Sequence, residues 1–375
     1  MREIIVTRAE AGQRFDRYLQ KYMPGAANGF LHKMLRKKNI KLNGKKAEGK
    51  EKIKEGDAIQ IFFSEETLAK FTGISAAAEP AVPGQKKNGQ MIPGQKKAGK
   101  DPALQAGNQM KKNEHGTTVS GGRTEEEKAL RRQVCLLYSS EDILIFHKPA
   151  GMLTQKAKPE DDSLNDYLLD YCRKTGIIKE GTASVFRPSV ANRLDRNTSG
   201  IVLCGITTEG LQVLSRLLRE RGLEKYYLCL VRGVIKEDRK IKGWLCKDEK
   251  KNTVTLSRHP KEGAAPVETW YQVLAASSEA TLLKVRLITG KSHQIRAHLA
   301  SEGHPVLGDY KYGDRRENNY LKRKTGINYQ MLHSYELRVP ENLTPGGGKG
   351  IHVMDPPPKP FLKAMEVFGL SSYIE

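Results

Sequence analysis

Apolar residues in the C-terminal two thirds of the chain recur in short runs that predict strands, with few helical stretches between them. Leu211, Leu214 and Leu217 fall on one face of a predicted helix, and His293–Ala300 predicts a second, shorter one. Strand runs interleaved with few, short helices favour an α+β domain on a mixed or antiparallel sheet, rather than a doubly wound fold. The predicted strands are 136–138, 143–146, 226–231 and 282–289.

Residues 1–63 show a different pattern, which predicts a small basic α/β module. Apolar residues three to four positions apart predict helices over Arg14–Leu19 and Phe30–Leu35. Asn43-Gly44 indicates a tight turn, and Ala58–Phe63 is typical of a strand. The module carries 15 Lys and Arg against 7 Asp and Glu. Five cations along the second helix and its exit form a predicted phosphate-facing surface: Lys33, Arg36, Lys37, Lys38 and Lys41.

Residues 64–131 show no sustained periodicity and predict a disordered basic linker. They are rich in Gly, Ala, Pro, Gln and Lys, and the pentapeptide Pro83–Lys87 recurs as Pro93–Lys97. Such a composition cannot bury enough apolar surface to offset the entropy lost on ordering. The linker separates the N-terminal module from a larger predicted domain over residues 132–375.

Charge is the strongest feature of the composition, since the net charge is +21 and the pI is near 9.6. A surplus this large favours a polyanionic partner, and nucleic acid is the first candidate. No apolar run approaches the ~18 residues needed to cross a bilayer, and no secretory leader is evident. The five cysteines include no Cys-x-x-Cys pair, so neither a zinc site nor a disulfide framework is predicted. We therefore expect a cytoplasmic protein that acts away from membranes.

The segment Asn192–Gly200 is the most informative stretch of the chain. It holds Asp195 between Arg193 and Arg196 in a polar turn, and the apolar run Ile201–Cys204 follows at once. A carboxylate with cationic neighbours stays ionised at neutral pH, which suits a nucleophile or a base better than a proton donor. A surface aspartate with ordinary ion pairs would show the same charge pattern.

Three further segments carry residues of chemical interest. Phe146–Met152 contains a Lys-Pro-x-Gly turn that begins at Lys148. Glu224–Val231 is a strand-like run with Tyr226 and Tyr227 near its start. The last is Thr289–Leu299, which reads Thr-Gly-Lys-Ser-His-Gln-Ile-Arg-Ala-His-Leu and is followed by Pro305–Asp309 and Tyr312-Gly313.

In their order along the chain, these four segments resemble the signature of the RluA-type pseudouridine synthases, which isomerise uridine in structured RNA. The resemblance implies that Asp195 is the catalytic aspartate, that Arg296 orients it and keeps it charged, and that Tyr227 stacks on the uracil or relays a proton. It implies substrate contacts by five further residues: Arg193, Lys225, Lys148, His293 and Gln294. Residues 1–63 resemble the αL RNA-binding domain known from a small-subunit ribosomal protein.

The reaction that this resemblance implies requires no redox chemistry. Pseudouridine formation breaks the bond between ribose carbon 1′ and uracil nitrogen 1, turns the base, and rejoins it through carbon 5. No atom or electron is gained or lost, so we expect neither a cofactor nor a metal. His293 and His298 would diverge by about 140° on a helix, which also disfavours a metal site. Tyr226 should face away from Tyr227, since side chains alternate along a strand.

Two positions depart from the family pattern. Asn192 stands where the family usually has His, and Lys291 stands where it usually has Arg. Asn192 can hydrogen-bond but carries no charge, and Lys291 keeps the charge without a bidentate fork. These departures bear on the substrate and the local geometry more than on the activity.

The sequence thus predicts a monomeric RNA pseudouridine synthase. By resemblance alone the substrate is large-subunit ribosomal RNA, with transfer RNA as the second candidate. The rival from another class is a non-catalytic RNA-binding or ribosome-assembly protein that kept the fold. The presence of Asp195, Tyr227 and Arg296 favours the enzyme.

Overall fold

The computed structural model describes residues 1–73, 123–178, 185–248, 253–341, 343–344 and 349–373. These residues form a four-stranded sheet near the N-terminus and an eleven-stranded sheet in the remainder, with helices packed around both. The larger sheet mixes antiparallel pairs with one parallel pair. The predicted α+β architecture is therefore confirmed. No helix within the described ranges is long and apolar enough to cross a membrane.

The N-terminal module contains the predicted two helices followed by strands, but a further strand, Arg2–Ile5, precedes the helices and was not predicted. Asn43 and Gly44 both have positive φ, 52° and 73°, as the two-residue turn of a hairpin requires. Two helices cover the sheet, and Phe15, Leu19 and Leu35 are fully buried between them and the strands. The elements are β1 (Arg2–Ile5), α1 (Phe15–Tyr22), α2 (Asn28–Arg36), β2 (Ile40–Leu42), β3 (Lys45–Lys46) and β4 (Ala58–Ile61), in the sheet order β1-β4-β2-β3.

Both ends of the predicted linker are helical. Helix α3 (Glu65–Thr72) begins at Ser64, whose hydroxyl accepts from the Thr67 N–H, and Phe71 packs 4.9 Å from Phe30 between ring centroids. This helix extends the N-terminal module beyond the predicted boundary at residue 63, because its apolar face completes the module's core. The predicted repeat Pro83–Lys97 lies outside the described residues.

The second of these helices, α4 (Glu125–Arg132), belongs to the C-terminal region. A capping box formed by Thr124 and Glu127 begins it. Arg131 then pairs with Asp162 at 2.8 Å and with Asp170 at 2.6 Å. The C-terminal region therefore includes α4, which begins several residues before the predicted boundary at residue 132.

The large sheet has the order β11-β10-β12-β13-β9-β14-β8-β6-β5, with β15 beside β14 and β7 beside β8. Its central strand, Leu332–Val339, runs parallel to one neighbour and antiparallel to the other. The strands are β5 (Cys135–Ser139), β6 (Ile143–Lys148), β7 (Ser189–Val190), β8 (Ser199–Gly205), β9 (Glu224–Arg232), β10 (Arg239–Asp248), β11 (Thr253–Ser257), β12 (Ala265–Ala276), β13 (Ala280–Leu287), β14 (Leu332–Val339) and β15 (Ile351–Met354). The four strands predicted from periodicity are confirmed.

Helices pack on both faces of this sheet. The predicted leucine helix is confirmed, and it ends at Arg221, which adopts the left-handed conformation. The short helix predicted from residue 293 begins one position later, with His293 as its N-cap. The helices are α5 (Leu164–Lys174), α6 (Thr208–Glu220), α7 (Gln294–Ser301), α8 (Arg315–Thr325) and α9 (Lys359–Val367).

Gly200 allows β8 and β14 to approach each other closely. Its φ is +115°, and a Cβ at this position would lie 2.2 Å from the Ser334 carbonyl oxygen. Only glycine fits such a position, because any side chain would clash with backbone on the neighbouring strand. Gly200 therefore positions the turn that precedes β8 against the middle of the sheet.

The turn Arg8–Glu10 of the N-terminal module contacts the large domain, and Val185 of the large domain packs against the module's core. Buried Glu10 accepts a hydrogen bond from the Val185 N–H at 2.8 Å, and Thr208 donates to the Ala9 carbonyl at 2.9 Å. Arg8 also pairs with Glu141 at 2.5 Å. These contacts join the module to the N-terminal end of α6.

Candidate active site

Hydrogen bonds to the backbone hold the Asp195 turn in place. The Thr154 hydroxyl makes two of them, because it donates to the Leu194 carbonyl at 2.9 Å and accepts from the Leu194 N–H at 3.1 Å. The Arg196 carbonyl accepts from Lys148 Nζ at 3.0 Å and from the Gly151 N–H at 2.9 Å. The residues on either side of Asp195 are therefore fixed before any ligand binds.

Arg296 joins Asp195 to a buried second carboxylate. Its Nη1 donates to Asp195 Oδ2 at 2.7 Å, while Nε and Nη2 donate to the two oxygens of Asp309 at 2.6 and 2.9 Å. Burial alone would lower the pKa of Arg296, but the hydrogen bonds and charges of Asp309 and Asp195 outweigh it and raise the pKa. The Asp309 side chain is 1% exposed and that of Asp195 is 26% exposed. Asp309 thus fixes the guanidinium, and Asp195 is the carboxylate that a ligand can reach.

His293 lies beside this ion pair as a neutral imidazole. Tyr312 accepts a hydrogen bond from the Val254 N–H, so its own proton is free to be donated to His293 Nδ1, 2.8 Å away. We therefore assign the proton of His293 to Nε2, which is 3.9 Å from Asp195 Oδ2. Burial lowers the pKa of His293, and the charge of Asp195 only partly opposes this.

Tyr227 is buried on β9 beneath the Asp195 turn, where it packs in one cluster with Leu194. Burial raises the pKa of Tyr227 to about 12; the charge of Asp195 adds to the shift and a hydrogen bond with Ser334 opposes it. The phenol is therefore protonated at neutral pH. Tyr226 lies on the opposite face, where it donates to Glu224, so the predicted alternation is confirmed.

This arrangement offers a partly exposed carboxylate that is hydrogen-bonded to a buried guanidinium. An aromatic ring with a protonated hydroxyl and a neutral imidazole lie close to it. Such a carboxylate can attack an electrophilic carbon or abstract a proton. Within the described residues, no group of three or more His, Cys, Asp or Glu side chains could hold a metal ion.

Comparison with known proteins gives one family by sequence and a matching fold by structure. The family model described as RNA pseudouridylate synthase matches residues 142–301. Ribosomal large subunit pseudouridine synthase C of Escherichia coli is 28% identical over 360 residues, which cover 94% of this chain and 92% of that protein. The protein of the same name from Vibrio vulnificus is 26% identical, covering 88% of this chain and 85% of that protein. The solved structure of human RNA pseudouridylate synthase domain containing 4 shares the fold, with a TM-score of 0.52 at 20% identity, over 65% of this chain and 95% of that chain.

Together these matches support an RNA pseudouridine synthase. The match spans the segments that hold Asp195, Tyr227 and Arg296. The synthase is therefore an isomerase whose partner is RNA, as the sequence predicted.

Two residues predicted to contact substrate support the synthase's backbone instead. Lys148 is fully buried, and its ammonium group donates to the carbonyls of Pro149, Met152 and Arg196 at 2.8–3.0 Å. Burial lowers the pKa of Lys148 to about 7, yet three carbonyl acceptors require the three N–H groups of the charged form. The prediction that Lys148 binds substrate is wrong, because no donor is left for a ligand.

Gln294 is the second correction. It is 2% exposed, its oxygen accepts from the Thr289 hydroxyl and the Lys291 N–H, and its nitrogen donates to the Glu268 carbonyl and the Thr269 hydroxyl. All four of its hydrogen-bonding positions are used within the protein. Gln294 therefore shapes the Thr289–His293 turn and does not contact substrate.

The other predicted contacts remain open to a ligand. Arg193 is exposed beside Asp195. Lys225 shares the Tyr227 face of β9, its Nζ lies near Gly290, and burial lowers its pKa. Among the described residues no acidic partner lies within ion-pairing distance of Lys225, so its charge is available to an anionic ligand.

Sequence analysis missed Thr154, Asp309 and Tyr312 as members of the site. Asp309 and Tyr312 stand in segments that were recognised by resemblance, but nothing in their spacing showed which side chain they would contact. Thr154 carries no sequence signal, since its role depends on a contact forty residues along the chain. The departing residue Asn192 also has a backbone role, because its oxygen accepts from the Leu203 N–H at 2.7 Å.

Lys148→Met should lower the stability of the synthase without weakening RNA binding. The substitution leaves three buried carbonyl oxygens without donors, which should cost on the order of 3 kcal/mol of unfolding free energy. Urea unfolding and RNA binding by fluorescence anisotropy measure the two effects separately. Normal stability with weak RNA binding would show that Lys148 contacts the substrate.

Proposed function

We propose that this synthase converts uridine to pseudouridine in large-subunit ribosomal RNA, with Asp195 as the catalytic carboxylate. The observation that carries the assignment of Asp195 is its ion pair with Arg296, in which one oxygen is held at 2.7 Å while the side chain stays partly exposed. The substrate class is supported by the curated relatives named as synthases of the large ribosomal subunit, which match at least 85% of their own length.

In this proposal the carboxylate of Asp195 acts in one of two ways. It attacks ribose carbon 1′ as the bond to uracil nitrogen 1 breaks, and is released when uracil carbon 5 bonds to carbon 1′; or it abstracts a proton from the nucleotide and later returns it. In both routes nitrogen 1 gains a proton and carbon 5 loses one, so the reaction is an isomerisation. Tyr227 presents an aromatic ring to the flipped base, and His293 Nε2–H faces the same carboxylate. Arg193 and Lys225 supply positive charge for the phosphates on either side.

Tyr227→Phe should lower turnover by less than about tenfold and leave RNA affinity unchanged. A phenol with a pKa of about 12 exchanges protons poorly at neutral pH, so the ring matters more than the hydroxyl. Tyr227→Ala should weaken RNA binding, since stacking on one base contributes about 1–3 kcal/mol. Single-turnover kinetics at saturating RNA measure turnover, and fluorescence anisotropy measures RNA affinity. A Phe variant as slow as the Ala variant would assign the hydroxyl to proton transfer.

The N-terminal module would increase the affinity for RNA through cations on and just after α2, which would contact phosphates. Lys33, Arg36, Lys37 and Lys38 are exposed on one side of it, and Lys41 is half-buried with its Nζ 5.1 Å above the Phe62 ring. Replacing Lys33, Arg36 and Lys37 together with alanine should weaken RNA binding and reduce the log–log salt slope by roughly one unit for each phosphate that is no longer neutralised. Turnover at saturating RNA should be unchanged. Loss of turnover at saturation would mean that the module takes part in forming the active site.

Mapping pseudouridines in total RNA tests the whole proposal. Cells that lack the gene should lose one or more pseudouridines in large-subunit ribosomal RNA, and the wild-type gene but not Asp195→Asn should restore them. Loss confined to transfer RNA would change the substrate class. An unchanged map, together with normal RNA binding, would favour a non-catalytic RNA-binding role.

A further inference from the structure

A cavity of about 280 Å³ lies on the face of the large sheet that points away from α7. Side chains alternate along β10 and β12, and the cross-strand pairs Lys242–Glu268 and Trp244–Pro266 share this face. Thr269 points to the other face, where its hydroxyl contacts His298 of α7. The cavity is therefore separated from Tyr227 and Arg296 by the sheet itself.

Three cations and one indole dominate the cavity wall. Arg221, at the end of α6, and Arg258, just after β11, meet Lys242 and the half-buried Trp244 of β10. Glu268 is the single acid among the lining residues, and it already pairs with Lys240. Within the described ranges no carboxylate lies within ion-pairing distance of Arg221, Lys242 or Arg258. Their charges are thus available to an anion.

We propose that this cavity binds one nucleotide of single-stranded RNA, with its base against Trp244 and its phosphate among Arg221, Lys242 and Arg258. The inference rests on the proposed function for its RNA partner. Aromatic rings beside cations are how proteins hold unpaired nucleotides, because every base has a face that can stack and every linkage carries a charge. The volume lies near the low end of the about 300–1,000 Å³ of small-ligand pockets, which suits one nucleotide and not a folded RNA element.

The position of the cavity connects it to the active site. Its lining residues Glu268 and Thr289 are the same residues that hold Gln294, the first residue of α7. The Thr289–His293 turn therefore leads from the cavity wall to His293, which lies beside Asp195. Exposed Lys291 lies on that turn. An RNA strand whose target uridine reaches Asp195 can cross the turn at Lys291 and place a flanking nucleotide at Trp244.

Tryptophan fluorescence offers a direct test, because the chain has only two tryptophans, Trp244 and Trp270. Trp270→Phe leaves Trp244 as the single reporter in the full-length protein. A short single-stranded oligouridylate should quench its emission saturably, with a midpoint equal to the Kd from anisotropy of a labelled oligouridylate. Binding without quenching would overturn the proposal.

Substitutions separate stacking from charge. Trp244→Ala should raise the Kd for oligouridylate about 10- to 100-fold, as expected for the loss of one stacked base, and Trp244→Phe should restore most of the affinity. Arg221→Gly with Arg258→Ala should weaken binding and reduce the salt slope; glycine suits the φ of +58° at position 221. The matched control is Lys322→Ala with Arg323→Ala, which removes two exposed cations from α8.

The outcomes distinguish this proposal from the proposed function. An equal loss of affinity in the α8 control and in the cavity variant would mean non-specific attraction and would overturn the site. Pseudouridine mapping that succeeds while Trp244 stays unquenched would leave the function intact and remove only the cavity. Quenching together with a changed substrate class would keep the cavity as an RNA site of this synthase.

Discussion

Asp195→Asn should lower pseudouridine formation by about 10²- to 10⁴-fold or more, since the amide is neither a nucleophile nor a useful base. The shape of the side chain is nearly unchanged, and the Asp195 oxygen held by Arg296 is present in both residues. RNA affinity should therefore stay within about twofold of wild type, because the phosphate contacts that dominate affinity are untouched. Tritium release from 5-labelled uridine in RNA and anisotropy measure the two properties.

The matched control is Glu366→Gln, which neutralises an exposed carboxylate on α9. It should keep both turnover and affinity. Substantial turnover by Asp195→Asn in a protein that melts at the wild-type temperature would mean that another group performs the chemistry.

Arg296→Ala should lower both stability and turnover. Asp309 loses both hydrogen bonds from the guanidinium and is left as a buried charge at 1% exposure. Removing one partner of a buried ion pair costs about 3–5 kcal/mol. Asp195 also loses the hydrogen bond that holds its Oδ2 at 2.7 Å, so turnover should fall even where the protein remains folded. Denaturant unfolding and single-turnover kinetics give the two measurements.

A double variant separates the two roles of Arg296. Arg296→Met with Asp309→Leu removes the whole buried pair, and apolar replacements of such pairs are often neutral in stability. It should recover much of the unfolding free energy lost in Arg296→Ala while turnover stays low. Recovery of turnover as well would show that Arg296 acts only through stability.

Hydrophobic periodicity predicted four of the eleven strands that the described residues form in the large sheet, because strands that bury a face keep their apolar residues in regular positions. It could not predict which strands become neighbours, since β8 and β9 are joined through β14, more than a hundred residues later in the chain. The helix α3 was missed because its reason for folding is the contact of Phe71 with Phe30. The capping box at Thr124 was a readable signal for α4.

The motifs located the site but did not separate ligand contacts from supports. Asp195, Tyr227 and Arg296 do lie together, as the resemblance implied. Lys148 and Gln294 share the same motifs, yet both are buried and fully hydrogen-bonded to the backbone and to neighbouring side chains. A motif records which residues a turn requires, whereas the side of the turn that a ligand occupies depends on tertiary packing.

The position of β14 between β8 and β9 affects the order in which the sheet can assemble while the chain is being translated. The strand that follows Asp195 and the strand that carries Tyr227 leave the ribosome long before Leu332–Val339, the strand that must be inserted between them. At about 5–20 residues per second, the intervening hundred residues take several seconds or more to appear. Until then the edges of β8 and β9 are unpaired and open to other strands. A nascent chain of this enzyme therefore cannot modify RNA before its C-terminal part has emerged.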